Sequence, residues 1–361
     1  MAPRRLQSIV IRGYASIRSA EVRLHDLNVL IGANGAGKSN FISALALLGR
    51  IVDGELNLFV GQAGGASALL HRGDGSVPEI GLRLEFASSE YEAKLIPAAG
   101  DELIFGYEEI ELRGERHVLG RGHRETRLLD EPDEEDLSSV AGHVVETLRG
   151  CRVFHFHDTS ANAPVKQKGF ASDNIALHPD GRNLAAVLLR LHQEDHAAYR
   201  RIVRTIQQVA PFFRDFVLVE ENDRLRLRWR QEGSDVVFPA DALSDGTLRF
   251  ICLTTLLSLP NLSSLVVLDE PELGLHPYAI VQLADMLRAA SSTSQVLIAT
   301  QSVTLMNQFK ADDLIVVERA GGASAFNRLD PEGLAGWLAE YSLGELWEKN
   351  LLGGRPQAEP R

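Results

Sequence analysis

Only two cysteines, Cys151 and Cys252, occur in 361 residues. They show no paired spacing, so neither a disulfide framework nor a zinc cluster is expected, and a reducing cytoplasm fits. No apolar run approaches the ~18 residues needed to span a bilayer, so no membrane partner is expected. The opening Met1-Ala2-Pro3-Arg4-Arg5 is basic, but it leads into Leu6-Gln7-Ser8-Ile9-Val10-Ile11, too short and too polar for a signal peptide. Positive charge is scarce too: 37 Lys and Arg stand against 49 Asp and Glu, a formal net charge of −12. Overall charge therefore gives no affinity for nucleic acid, and any DNA contact needs a local basic patch. Internal repeats and sustained heptads are missing, which excludes a long coiled-coil arm. What remains is an ordinary globular composition, 45% hydrophobic and 24% charged. The length suffices for a large core, as one elaborated domain or two lobes.

Apolar periodicity predicts strands over residues 6–31, with a turn at Gly13 and a buried run from Leu27 to Ile31. Ser39 to Leu48 has helical spacing, with Phe41, Ile42, Leu45 and Leu48 on one face. Gly61 to Gly75 reads as a glycine-rich loop. Alternating segments from Glu79 to Val118 predict an antiparallel meander. The acidic run Asp130–Asp136 reads as a solvated loop. Asp180 is the expected N-cap of a helix starting near Arg182, and a second helix runs from Ala197 to Val209. Phe216–Glu220 and Arg224–Arg230 are expected to form a hairpin around Glu221-Asn222-Asp223. After that, helix 245–258, strand 264–268, helix 277–290, strand 295–299 and strand 314–318 predict a mainly parallel sheet covered by helices. The expected organisation is an N-terminal lobe over 1–130, a helical and hairpin insert over 131–240, a C-terminal lobe over 241–330 and a helical tail over 331–361.

Three motifs carry chemistry. Gly32-Ala33-Asn34-Gly35-Ala36-Gly37-Lys38-Ser39 lies between a strand and a helix, the context of a phosphate-binding loop. Its glycines let several N–H groups face one phosphate, and the helix adds the positive end of its dipole. Asn34, Gly35, Ala36, Gly37, Lys38, Ser39 and Asn40 are the expected nucleotide contacts. Lys38 would reach the β and γ oxygens of ATP, and Ser39 would take a Mg²⁺ position. Leu265-Val266-Val267-Leu268 then reads as a doubly buried strand that delivers Asp269 to its carboxyl end, where ligands sit in open α/β sheets. Asp269 is the expected metal residue, and Glu270 is placed to orient or deprotonate the attacking water. Capping of the next turn is the bland alternative for both acids.

Between these two lies Leu243-Ser244-Asp245-Gly246-Thr247, which looks like an ABC-type signature. Ser244 is a natural N-cap, and a helix N-terminus with a free hydroxyl and Gly246 also makes an anion site. In a head-to-tail dimer Ser244 and Gly246 would cover the γ-phosphate of the other copy; otherwise Ser244 is only a cap.

Weaker constellations remain open. His155, His157 and Asp158 could form a metal site, a buried polar network or a nucleotide-sensing contact. Arg224, Arg226, Arg228 and Arg230 alternate and would share one strand face, either solvated or gripping a phosphate backbone with Lys166, Lys168, Arg200, Arg201 and Arg204. His276 is expected to be structural.

The chain resembles the RecF/SMC-like branch of ABC-class ATPases, and most of all the compact ATPases grouped with RecF and with the ATPase half of OLD-family proteins. Ile11-Arg12-Gly13-Tyr14-Ala15-Ser16-Ile17 resembles that branch's opening. Asp269-Glu270-Pro271-Glu272-Leu273-Gly274-Leu275-His276-Pro277 resembles its extended acidic motif and D-loop. Phe156-His157-Asp158-Thr159-Ser160 and Trp337 to Trp347 resemble a subgroup of short members. The resemblance implies an α/β P-loop NTPase of ABC-head type: a mixed sheet flanked by helices, with an antiparallel β subdomain and a helical insert. It implies a Mg²⁺-dependent ATPase that dimerises with ATP and acts on duplex DNA, in repair or in antiphage defence. A regulatory subunit gating an effector such as a nuclease is the alternative. After Gln301 only about 60 residues remain, too few for the nuclease domain of longer relatives. Two positions depart from the branch. Asp245 stands where many relatives have glycine. Gln301 occupies the switch position often held by histidine and cannot take a proton at neutral pH, so slow turnover is expected. The Q-loop equivalent has Gln62 as its one candidate.

Overall fold

The computed structural model describes residues 5–71, 78–130 and 134–353. β1 (Leu6–Tyr14) and β2 (Ile17–Arg23) form an antiparallel hairpin. Gly13 takes a positive φ at its end, and a Cβ there would strike the Glu79 carbonyl. Every residue of β3 (Leu27–Ile31) is buried. The chain then passes through the glycine loop into α1 (Lys38–Val52), longer at both ends than the spacing predicted. Residues 61–62 and 66–69 of the expected 61–75 loop are helical instead. α2 (Leu56–Gln62) and α3 (Ala66–Leu69) flank Gly64 and Gly65, whose positive φ values supply the break between them. Leu56, Val60, Ala66 and Leu69 are buried, so packing overrides the local glycine content. Residues 72–77 of that stretch lie outside the described residues.

The meander forms as expected: β4 (Ile80–Phe86), β5 (Ser89–Ala98), β6 (Glu102–Leu112) and β7 (Glu115–Gly120). It continues the first hairpin into one six-stranded sheet, ordered β2-β1-β4-β5-β6-β7. α4 (Glu135–Gly150) takes up the end of the acidic run, with Glu135 and Asp136 in its first turn. Carboxylates there oppose the positive end of the helix dipole, which explains why this part is helix rather than loop. Residues 131–133 of the run lie outside the described residues.

β8 (Val153–Phe154) and β9 (Gly169–Phe170) precede α5 (Leu184–Glu194) and α6 (His196–Val209). The N-cap of α5 is Asn183, not Asp180. Gly181 has a φ of 71°, which turns the chain before the helix begins, and Asp180 instead accepts from the Arg182 N–H within that turn. The expected 216–230 hairpin is divided. β10 (Phe213–Phe216) pairs with β12 (Arg228–Gln231), which also pairs with β13 (Val237–Pro239), while β11 (Arg224–Leu225) joins β9. Leu225, Leu227 and Trp229 stay buried through the bend, so one apolar face serves two small sheets.

The last third alternates as predicted: α7 (Asp245–Leu257), β14 (Leu265–Asp269), α8 (Pro277–Ser291), β15 (Gln295–Thr300), α9 (Val303–Met306) and β16 (Leu314–Ala320). β17 (Ala323–Arg328), α10 (Pro331–Leu338) and α11 (Leu343–Glu348) follow. The second six-stranded sheet runs β17-β16-β3-β15-β14-β8, parallel except for the antiparallel edge strand β17. Alternate residues of its strands enter opposite cores. Val29, Ile31, Val266 and Leu268 pack with the helices α5 to α8, whereas Leu30, Leu265, Val267 and Leu297 pack with α1, α4 and the antiparallel sheet. Burial on both faces is why these strands read as continuous apolar runs.

Candidate functional site

In-register parallel pairing sets Asp269 opposite Ala299 and Thr300 opposite Ile31. The carboxyl ends of β3, β15 and β14 therefore lie side by side, and the residues that leave them share one rim.

The phosphate loop leaves β3 at Gly32 and is packed from behind. A Cβ at Gly32 would collide with the Val317 carbonyl, and one at Gly37 with the Ser324 side chain. Gly37 also has a φ of 119°, a conformation open to glycine. Ser324 Oγ donates to the Ala36 carbonyl at 2.6 Å and pairs with Ser16 Oγ at 2.7 Å. Asn40 donates to Ser16 Oγ at 2.6 Å. The first hairpin and β17 thus brace the loop, while Asn34, Gly35 and Ser39 remain exposed at its front. No acidic residue lies in the first turn of α1, and Gly37 offers its N–H groups no side-chain cap. That leaves the positive end of the helix to an anion. Lys38 is buried, and its Nζ donates to the Gly32 carbonyl at 2.6 Å and the Ala33 carbonyl at 3.2 Å. Burial lowers its pKa, opposed by the charges of Glu270, Asp269 and Glu272.

Those acids gather opposite the loop. Burial raises the Asp269 pKa, opposed chiefly by His155. Glu270 holds a φ of 43°, an uncommon conformation for a residue with a side chain, fixed by donation from its N–H to the Ala299 carbonyl at 2.8 Å. Gln301 Nε2 donates to Glu270 Oε1, so the candidate switch residue meets the candidate water-orienting acid directly. Glu272 lies deeper, accepts from Thr300 Oγ1, and has its pKa raised by burial. Thr300 Oγ1 accepts in turn from the Ser302 N–H at 2.9 Å, which holds the Gln301 turn in place. Glu272 Oε2 is buried without a partner among the described residues.

His157 Nε2 donates to the Asp269 carbonyl at 3.1 Å, and the His155 ring stands 5.9 Å from the His157 ring. Burial lowers the His155 pKa, opposed by Asp269. Asp158 turns away and accepts from the Ser160 N–H, so the His155–His157–Asp158 triad does not converge. Among the described residues no three His, Cys, Asp or Glu side chains form a metal-binding group. Mg²⁺ needs fewer protein ligands, since it keeps waters and takes one or two protein oxygens plus phosphates. The exposed Ser39 hydroxyl and the desolvated Asp269 carboxylate fit that donor set.

Ser244 caps α7, accepting from the Thr247 N–H at 3.2 Å. A Cβ at Gly246 would lie 2.5 Å from the Gly274 carbonyl, so the start of α7 touches the D-loop backbone to backbone. Among the described residues no hydrogen bond joins Ser244 or Gly246 to residues 32–39. His276 caps α8 by accepting from the Tyr278 N–H. Gln62 and His155 line one cleft between α1, α2 and the segment after β8.

The four arginines do not share one strand: Arg224 is on β11, Arg228 and Arg230 are on β12 and Arg226 lies between them, with only Arg226 and Arg230 exposed. Arg224 stacks 3.8 Å from the Phe170 ring centre, and Arg226 donates to the Lys166 carbonyl at 2.7 Å. Lys166 is buried, with its Nζ on the Thr159 carbonyl, and Lys168 lies 3.7 Å from Glu221. Ser324 and Thr300 escaped sequence reasoning, since serine and threonine carry no signal at those spacings, and Ser16 was visible only as part of a motif. Glu272 was visible only as part of a motif.

The profile of the family described as "AAA domain, putative AbiEii toxin, Type IV TA system" matches residues 27–307. The chain belongs to that family. Membership makes it an ATPase. Its fold is similar to that of an Smc head domain from Pyrococcus furiosus, whose structure carries an extended coiled coil bound to the C-terminal domain of ScpA. That match has 16% identity and a TM-score of 0.60, and covers 93% of this chain and 99% of that one. A SmcHead structure bound to the C-winged helix domain of ScpA matches at 17% identity and a TM-score of 0.58, over 92% and 99%. An Smc head from Pyrococcus yayanosii matches at 14% and 0.53, over 93% and 99%. No curated protein matches. The architecture is thus a P-loop NTPase of ABC-ATPase head type, in agreement with the RecF/SMC-like resemblance. Among the described residues, no helix is long and apolar enough to cross a membrane.

Removing the Ser324 brace should weaken ATP binding about fivefold, the worth of one net hydrogen bond. Titration of Ser324→Ala with a fluorescent ATP analogue checks this, and unchanged affinity contradicts it. The raised pKa of Asp269 also has a consequence for stability. A carboxyl raised on folding contributes stability below its unfolded pKa and loses it as pH rises through the folded value, so at pH 7 the charge disfavours the fold. Asp269→Asn should therefore raise the thermal midpoint without nucleotide by about 2 °C while hydrolysis is lost. An unchanged or lower midpoint contradicts this account.

Proposed function

We propose that this ATPase is Mg²⁺-dependent and works as a switch, in which ATP closes two copies head to tail and hydrolysis releases them. The carrying observation is the N-terminus of α7. Ser244 and Gly246 present an exposed hydroxyl and helix start, bonded to nothing in the chain's own phosphate loop. A helix start of this kind suits an anion, and the γ-phosphate held by a second copy is the anion it fits. Asn34 to Asn40 bind the nucleotide in this reading, and Ser39 and Asp269 hold Mg²⁺. That ion supplies charge neutralisation on the phosphates when bound. Lys38 keeps its ammonium at the loop mouth, against the β and γ oxygens. Glu270 orients the attacking water and takes its proton. The Gln301 amide holds Glu270 in position but accepts no proton, which makes turnover slow.

DNA, engaged in repair or in defence against foreign DNA, is the proposed target, with the outward Arg226 and Arg230 as contacts. A second reading, a subunit that gates a separate effector, is favoured by the state of the patch. Arg224 and Arg226 are engaged inside the chain, and exposed Glu220, Glu221 and Asp223 adjoin them.

The test is the solution mass of Glu270→Gln with ATP and Mg²⁺, with and without a short duplex. An ATP-dependent dimer that takes up DNA, and loses it with Arg226→Glu and Arg230→Glu, supports the DNA switch. A dimer that ignores DNA supports the gating subunit, and a monomer throughout removes the trans site. Single-turnover hydrolysis should run well below the ~10 s⁻¹ of a median enzyme; a rate at that level contradicts the role given to Gln301.

A further inference from the structure

Arg249 lies in the second turn of α7 and spends its whole guanidinium on backbone carbonyls. Nε donates to the Phe156 carbonyl at 3.2 Å, Nη2 to that of His157 at 2.8 Å, and Nη1 to that of Leu273 at 2.9 Å. The first two acceptors belong to the segment leaving β8, and the third to the D-loop that follows Glu270. No ion pair of Arg249 with a carboxylate exists among the described residues. A planar fork filled by three carbonyls from two segments fixes their relative position, which a single flexible ammonium cannot do.

Each clamped segment touches the catalytic rim. His157 donates to the Asp269 carbonyl at 3.1 Å. Arg249, His157, Asp269 and Pro271 line one cavity of only about 10 Å³, so little free volume separates the clamp from the metal-side acid. Leu273 donates its N–H to the Glu270 carbonyl at 3.1 Å, within the turn that holds Glu270 at positive φ. The junction is tight on its other side too. A Cβ on Gly246 would lie 2.5 Å from the Gly274 carbonyl, and one on Gly274 would strike Arg249 Nη1. A shift of the α7 N-terminus therefore meets backbone at Gly274 and drags three carbonyls through Arg249.

We propose that Arg249 is a positioning residue that transmits contact at the α7 N-terminus to Asp269 and Glu270 of the same chain. The inference rests on the head-to-tail dimer described above. There Ser244 and Gly246 meet the partner's nucleotide while Asp269 and Glu270 serve the chain's own, so the clamp links the two sites of one dimer. Nucleotide held in one site sets the catalytic geometry of the other, and ATP hydrolysis is cooperative because of it.

The experiment uses the full chain with Arg249→Ala and Arg249→Lys. In the Glu270→Gln background, Arg249→Ala should still dimerise with ATP and Mg²⁺, at nucleotide concentrations within about threefold of its parent. With Glu270 intact, kcat should fall at least tenfold, KM should stay within about threefold, and the Hill coefficient for ATP should fall to about 1. Arg249→Lys should keep the parental thermal midpoint without restoring kcat or cooperativity. Unchanged kcat and Hill coefficient in Arg249→Ala overturn the proposal, as does a rise in KM alone or full recovery of kcat in Arg249→Lys. Should Arg249→Ala fail to fold, Arg249→Lys decides by itself: parental kcat and cooperativity overturn the proposal, and their loss at a parental midpoint supports it. A Glu270→Gln parent that stays monomeric with ATP overturns the dimer reading and this inference together. A dimeric parent with an unaffected Arg249→Ala overturns this inference alone.

Discussion

Parallel pairing of β14 with β15 and of β15 with β3 brings together residues that lie far apart in the chain. Asp269 comes level with Ala299, and Thr300 with Ile31, so the exits of three strands meet at one rim. A slip of one residue in either ladder would turn alternate side chains into the wrong core, and the two separate cores on the sheet faces penalise it. The register that positions Lys38, Asp269, Glu270 and Gln301 is thus enforced by apolar burial away from the site.

The site itself runs against stability. Lys38 is buried with its ammonium turned onto two carbonyls, Asp269 and Glu272 are desolvated, and Glu270 is held at positive φ. Each is tolerated because rigid neighbours over-determine it: Ser324 and Ser16 behind the loop, Thr300 beneath Glu272, and the Ala299 carbonyl on the Glu270 N–H. Desolvated charge and backbone strain concentrated at one rim are what a site for a charged ligand requires. Arg249 extends this logic to the α7 N-terminus, where two glycines bring backbone against backbone and leave little room for independent movement.

Local chemistry was legible wherever it depends on consecutive residues. The glycine loop, the buried Leu265–Leu268 run and the alternation after residue 245 all appear as read, because phosphate loops and doubly buried strands leave short-range patterns. Errors fell where a distant contact decides. Gly181 moved the α5 cap to Asn183, packing made helix of residues 61–62 and 66–69 in the expected 61–75 loop, and Arg224 to Arg230 split between two sheets because β9 takes β11.

The sequence by itself determined that a glycine-rich loop joins a buried strand to a helix, and that paired acids leave a second buried strand. Both follow from backbone freedom at glycine and from burial of apolar runs, which are properties of neighbours in the chain. Only the tertiary structure decided that Ser16 and Ser324 hold the loop, that Gln301 meets Glu270, that His157 touches the Asp269 backbone, and that Arg249 joins α7 to the D-loop. These are contacts between polar groups far apart in the chain, and no periodicity records them, because one hydrogen bond needs only one residue on each side.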